Sequence, residues 1–214
     1  MVEYSKALSS HGKAFEICQK TLRSNHPHFA QSYNNIGSVH YNIKDYSKAL
    51  SFFGKALEIW QKTLPSNHPH LATSYNNIGS VYSKMGEYLI ALLSHEQALE
   101  IQKKTLRSNH PHFAQSYNNI GSVHYNMKDY SKALSFFEKA FEIWQKTLPS
   151  SHPLLATSYH SIGTVYRNMK DYSKALSYYE HALDIRQRVL PSTHPDIKTT
   201  MESIEVVRDG IKNI

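Results

Sequence analysis

Residues 27–68 read PHFAQSYNNIGSVHYNIKDYSKALSFFGKALEIWQKTLPSNH. Two helical patterns are joined by a short break. Pro27 suits the first position of a helix, where a missing N–H costs nothing. Tyr33, Ile36, Gly37 and His40 follow at helical spacing. Lys44 and Asp45 interrupt the pattern, and Asp45 is a good N-cap for a second helix. Tyr46, Ala49, Leu50, Phe53, Ala56, Leu57, Trp60 and Leu64 then step by three and four along one face. Pro65 closes the segment. The reading is an antiparallel helix pair, with helix A of about 17 residues and helix B of about 19.

The pair recurs. His-Pro stands at His26-Pro27, His68-Pro69, His110-Pro111, His152-Pro153 and His194-Pro195, a constant step of 42 residues. Tyr4, Tyr46, Tyr88, Tyr130 and Tyr172 share that step, as do Ala7, Ala49, Ala91, Ala133 and Ala175. A period of this size predicts a solenoid whose units bury their faces on their neighbours. The expected organisation is a single array over 1–214. An unpaired helix B spans 1–24, repeats run 27–68, 69–110, 111–152 and 153–194, and a capping helix spans 195–214. The spare N-terminal helix B covers Tyr4 to Leu22, and its apolar edge is a candidate for self-association. In the last segment Glu205 and Arg208 replace Gly163 and Tyr166, as suits an exposed cap. Residues 20–69 return at 104–153 with four changes, Ile43 to Met127, Gly54 to Glu138, Leu57 to Phe141 and Asn67 to Ser151.

Gly37, Gly79, Gly121 and Gly163 sit inside helix A, where glycine costs about 1 kcal/mol against alanine. Their repetition predicts a close crossing of helix B. Ala49 and Ala56 are the matching small residues there. Phe53 fills the space between them, with His95, Phe137 and Tyr179 in its place in the later units. Trp60 and Trp144 fall on the apolar stripe and are expected in the core, whereas Gln102 and Arg186 hold that place in the other two units.

Y-N-N-I-G-S-V-H at 33–40 followed by A-L-S-F-F-G-K-A at 49–56 resembles the tetratricopeptide repeat, W-x2-L-G-x2-Y then A-x3-F-x2-A over 34 residues. Tyr33 stands for the tryptophan, Gln61 for the proline after helix B, and the period is longer by about two helical turns. With its N-H-P closure the unit is similar to the 42-residue repeats of the kinesin light chain class. The resemblance implies an all-α, right-handed superhelical solenoid of antiparallel helix pairs with an interaction role. The heptad coiled coil through which kinesin light chains join the motor has no counterpart in this sequence.

Composition narrows the function. Hydrophobic residues at 40% and charged residues at 19% are globular values. One cysteine, Cys18, excludes a disulfide framework or CxxC zinc site and fits a reducing, cytoplasmic setting. No apolar run reaches the roughly 18 residues needed to span a bilayer, and the N-terminus has no signal-peptide pattern. A phosphate loop, a carboxylate pair or a nucleophile elbow would mark an enzyme. None is present, so neither catalysis nor a cofactor is expected. The H-P-H triplets at 26–28, 68–70 and 110–112 stand a repeat apart and end at Leu154, so no tetrahedral metal site is expected. The net charge of +7 raises nucleic acid as a partner, but Lys13, Lys48, Lys55, Lys62, Lys132 and Lys139 lie on helix B and in turns, which disfavours it.

A curved solenoid offers a concave surface lined by helix A. The residues expected to point away from helix B include Asn34, Asn35, Ser38, Tyr41 and Asn42 in the first unit. Asn76, Asn77, Ser80 and Lys84 follow in the second, and Asn118, Asn119, Ser122, Tyr125 and Asn126 in the third. The fourth adds His160 and Arg167. Asparagine is a poor helix former, yet Asn-Asn sits mid-helix three times. Its amide both donates and accepts, as binding a peptide main chain requires. The resemblance implies the same role for Asn35, Asn77 and Asn119, and Ser161 should end the ladder. A structural role, bonding neighbouring helices, is the alternative for this column. Tyr41 and Tyr125 offer flat contacts, and Lys84 and Arg167 offer positive charge. The expected ligand is an extended acidic peptide with an apolar or aromatic anchor, and the resemblance points to the same class. The chaperone-type carboxylate clamp does not match, because it requires basic residues where Asn34, Gln115 and Asn119 stand. A structural spacer or self-associating scaffold, and single-stranded RNA binding, remain as alternatives.

Overall fold

The computed structural model describes residues 27–107 and 110–212. The spare helix expected over 1–24, Cys18 and the self-associating edge all lie outside these residues. Among the described residues the chain is entirely helical. It divides into two compact units, the chain passing from one to the other between residues 107 and 108.

The first unit contains α1 (Pro27–Asn42), α2 (Tyr46–Thr63), α3 (Pro69–Met85) and α4 (Tyr88–Thr105). The second contains α5 (Pro111–Asn126), α6 (Tyr130–Thr147), α7 (Pro153–Asn168), α8 (Tyr172–Val189) and α9 (Pro195–Lys212). Within each unit consecutive helices pack side by side. Helix A is α1, α3, α5 and α7; helix B is α2, α4, α6 and α8.

Local chemistry sets the helix ends. The histidines of the four described His-Pro pairs, His68, His110, His152 and His194, are N-caps. The Nδ1 of each accepts the backbone N–H two residues on, at 3.2 Å for His68, 3.2 Å for His110, 3.1 Å for His152 and 3.2 Å for His194. The repeated histidines therefore serve a donor that the helix start would otherwise leave unpaired. Asp45, Asp129 and Asp171 cap helix B by accepting from Lys48, Lys132 and Lys174 N–H. The same carboxylates hold the lysine ammonium groups at 3.1, 3.1 and 3.0 Å. Glu87, at the equivalent place before α4, makes no such cap bond. The turn before the cap needs positive φ. Gly86 supplies it at 85°, while Lys44, Lys128 and Lys170 adopt 64°, 63° and 65°, a conformation costly for a residue with a Cβ.

The core lies between the helix layers. In the first unit Trp60 is buried among Ala30, Ala56, Leu71, Ala72, Ala98 and Ile101. In the second, Trp144 is buried among Ala114, Ala140, Leu155, Ala156 and Ile185. The glycine notch is tight. A Cβ on Gly37 would stand 2.8 Å from the Phe53 ring. On Gly79 it would stand 2.9 Å from His95, on Gly121 2.9 Å from Phe137 and on Gly163 3.0 Å from Tyr179. Helix glycine is stable here because the opposing ring occupies the Cβ position. Gln102 and Arg186 are buried at the tryptophan position too. Arg186 Nη1 donates to the Asp196 carbonyl at 3.2 Å and to Thr200 Oγ1. The terminal helix α9 thus supplies the polar partners that a buried guanidinium requires.

Candidate functional site

The helix-A residues proposed to line a binding face separate into two groups in the structure. A helix turns about 100° per residue. The residue two before the notch glycine therefore points nearly opposite helix B. The residues three before and four after lie only about 60° and 40° from the glycine direction.

Asn35, Asn77 and Asn119 form the opposite column, and all three are half-exposed. Asn35 Oδ1 accepts from Gln31 Nε2 at 3.0 Å, and Asn119 Oδ1 from Gln115 Nε2 at 2.9 Å. Asn77 reaches between helices instead: its Nδ2 donates to Asn34 Oδ1 at 2.8 Å, joining α3 to α1. That bond uses Asn77 Nδ2 and Asn34 Oδ1, so the other amide atoms of the pair are Asn77 Oδ1, an acceptor, and Asn34 Nδ2, a donor. Ser161 replaces the amide in α7, so no equivalent bond can reach Asn118. There the link between helix-A neighbours is Asn168 Nδ2 donating to Tyr125 Oη at 3.0 Å.

The residues three before glycine differ among themselves: Asn34 bonds Asn77 on the next helix A, whereas Asn76 and His160 turn back to helix B. His95 Nδ1 donates to Asn76 Oδ1 at 2.8 Å. His160 stacks obliquely on Tyr179, with ring centres 5.0 Å apart, and its Nδ1 lies 3.5 Å from Arg186 Nη1. Burial, then the Arg186 and Arg167 charges, lower the His160 pKa to about 4, so it is a neutral acceptor at pH 7. Tyr41 and Tyr125, four after glycine, pack their rings on the helix-B cores and stack obliquely on Tyr46 and Tyr130. Burial raises the Tyr41 pKa. Both rings stay partly exposed. Arg167 is half-buried.

The hydroxyls are satisfied locally. Ser38, Ser80 and Ser122 Oγ donate to the carbonyls of Asn34, Asn76 and Asn118 one turn earlier, at 3.0, 2.9 and 2.9 Å. Lys84, Asn42 and Asn126 are exposed. Sequence periodicity already held the signal for the two groups, in the 100° step.

No group of three His, Cys, Asp or Glu residues able to hold a metal ion occurs among the described residues. None of their helices is long and apolar enough to cross a membrane. Three adjacent exposed residues on α4 escaped the sequence reading altogether: Leu89, Ile90 and Leu93.

The sequence profile described as tetratricopeptide repeat matches residues 3–62, 28–104 and 112–188. No curated protein matches the chain in sequence. Solved structures do match in fold. BtubC (BKLC) from P. vanneervenii superposes with a TM-score of 0.83 at 20% identity, covering 98% of this chain and 84% of that one. A Podosopora anserina protein, described as a kinesin light chain with nearly identical TPR-like repeats, gives 0.74 at 24% identity, covering 88% and 89%. The apo form of RapI gives 0.72 at 20% identity, covering 96% of this chain and 55% of RapI.

Proposed function

Because the chain belongs to the tetratricopeptide repeat family, whose members generally serve as protein-interaction modules, we propose that its helix-A faces hold an extended peptide and perform no chemistry. The observation that carries this reading is the amide pair Asn34–Asn77. The bond between them at 2.8 Å uses one donor and one acceptor and leaves the Asn34 amide donor and the Asn77 amide acceptor for a peptide group, whose C=O and N–H have the complementary roles. Asn35 and Asn119 add further amide donors, since each uses its Oδ1 within its own helix. Backbone recognition of this kind is indifferent to ligand sequence. Selectivity then rests on Lys84 and Arg167, which suit carboxylates, and on the exposed edges of Tyr41 and Tyr125, which suit an apolar or aromatic anchor. The net charge of +7 favours approach of an acidic ligand.

A second reading has its own support. The Asn77–Asn34 and Asn168–Tyr125 bonds each tie one helix A to the next, so the polar columns also set repeat spacing, as a structural scaffold requires.

One experiment separates the two. A fluorescent acidic peptide with a central tryptophan is titrated into the chain and into its Asn35→Ala, Asn77→Ala, Asn119→Ala variant. Helicity and melting temperature are measured on both. Three lost hydrogen bonds, at about 1 kcal/mol each, should weaken binding tenfold or more while helicity holds. Unchanged peptide binding together with a lowered melting temperature sinks the binding role and leaves the spacer.

A further inference from the structure

The helix-B register exposes one segment unlike its counterparts. In α2, α6 and α8 the second, third and sixth residues are Ser47, Lys48 and Ser51; Ser131, Lys132 and Ser135; and Ser173, Lys174 and Ser177. In α4 they are Leu89, Ile90 and Leu93, which are 69%, 42% and 62% exposed. The counterparts in α2 and α6 stay exposed although α3 and α7 pack on those helices. A following helix packed in that manner therefore does not cover this register.

The change does nothing for the fold. Ile90 forgoes the lysine–aspartate pair that the other three pairs make at 3.0–3.1 Å, and Glu87 forgoes the cap. Three aliphatic side chains in water gain nothing by burial there. The charge changes with them. Ile90 replaces a lysine, and Gln97 stands where Lys55, Lys139 and His181 stand elsewhere. Glu87 and Glu96 are exposed and bracket the patch, and neither forms an ion pair among the described residues. Leu89, Leu93 and Glu96 follow at steps of four and three, one stripe of the helix. In a chain of net charge +7, this stripe is apolar with acidic ends.

We propose that the Leu89–Ile90–Leu93 face of α4 is a docking site for an amphipathic helix of a partner protein, one with an apolar i, i+3/i+4 ridge flanked by Lys or Arg. Charge decides between this occupant and a second copy. Glu87 and Glu96 lie almost equally far along the chain from the patch centre, so an antiparallel two-fold pairing sets Glu87 of one copy against Glu96 of the other. A parallel pairing sets each against its like. Both repel, whereas a basic helix is attracted at both ends. The site is independent of the asparagine columns and needs no bound peptide.

The test uses the full chain and a fluorescein-labelled 18-residue peptide of Leu, Lys and Ala that forms one leucine ridge flanked by lysines. A second peptide carries Glu for every Lys. The variant Leu89→Ser, Ile90→Lys, Leu93→Ser installs the residues that the other three helices B already carry, so its fold is preserved by precedent. The lysine peptide should bind the unaltered chain at least tenfold more tightly than it binds the variant, and at least tenfold more tightly than the glutamate peptide binds the chain. Glu87→Gln with Glu96→Gln should flatten the salt dependence, and Asn35→Ala, Asn77→Ala, Asn119→Ala should leave binding unchanged. Failure of the lysine peptide to bind, equal binding by the variant, or equal binding of the two peptides overturns the proposal. So does a concentration-dependent dimer in sedimentation that the variant abolishes, since the face would then pair copies.

Discussion

Helices α2 and α4 occupy the same place in successive helix pairs, yet they are built differently. Phe53 fills the notch of Gly37, and the His95 ring fills that of Gly79 at almost the same distance. Asp45 caps α2, while Glu87 leaves α4 without a side-chain cap. Trp60 is buried in one, and Gln102 in the other. Solvent meets serine and lysine on α2 but Leu89, Ile90 and Leu93 on α4. The shared elements are a small residue on each helix and a ring between them. Steric fit at that crossing is therefore the requirement of the repeat. Caps, ion pairs and the outer face are free to diverge, as they do at Glu87 and at Leu89, Ile90 and Leu93.

The largest effect should come from breaking the notch on the apolar side. Phe53→Ala removes a ring that is 3% exposed and should cost about 3–5 kcal/mol, read as a fall in the denaturation midpoint. Loss under about 1 kcal/mol would show that the ring is not the wedge.

Acid should separate α4 from α2. Burial lowers the His95 pKa to about 4 from its ordinary 6.5. Between those values the unfolded chain binds a proton that the folded chain does not, so stability rises with pH there. The His95 contribution is complete above about pH 6.5 and is lost as pH falls toward 4, an effect on the order of 2–3 kcal/mol. His95→Phe, which copies the α2 arrangement, should melt with a smaller drop between pH 7 and pH 4.5 than the unaltered chain. His160 titrates in the same range, so the slope should shrink without vanishing. An unchanged slope would place the acid sensitivity elsewhere.

The smallest difference is the cap. Glu87→Asp gives α4 the residue that accepts from the third helical N–H in α2 and should raise stability by about 1 kcal/mol in chemical denaturation. No gain would mean that α4 starts in a different local geometry.

Much of the architecture was legible without coordinates, because it repeats. The His-Pro column and Asp45 mark helix starts through local chemistry. The glycine column opposite Phe53 marks a close approach that only the absence of a Cβ permits. The buried Trp60 and Trp144 followed from the apolar stripe. The candidate site was legible only in part. Periodicity placed Asn35, Asn77 and Asn119 away from helix B but misassigned Asn76 and His160, whose polar atoms turn back to His95 and Arg186. The patch on α4 was visible in principle, by comparing Leu89, Ile90 and Leu93 with their counterparts column by column.

The sequence by itself determined the helix pairs, their period and the residues at each crossing, since these depend on local propensity and on spacing of three and four. Tertiary structure alone decided which polar groups pair across helices: Asn77 with Asn34, Asn168 with Tyr125, and Arg186 with the carbonyl of Asp196 and Thr200 Oγ1. Such bonds require heavy atoms within about 3 Å and aligned. Residues 43 positions apart, as in the two amide links, meet that condition only when packing of the apolar faces has already brought their helices together.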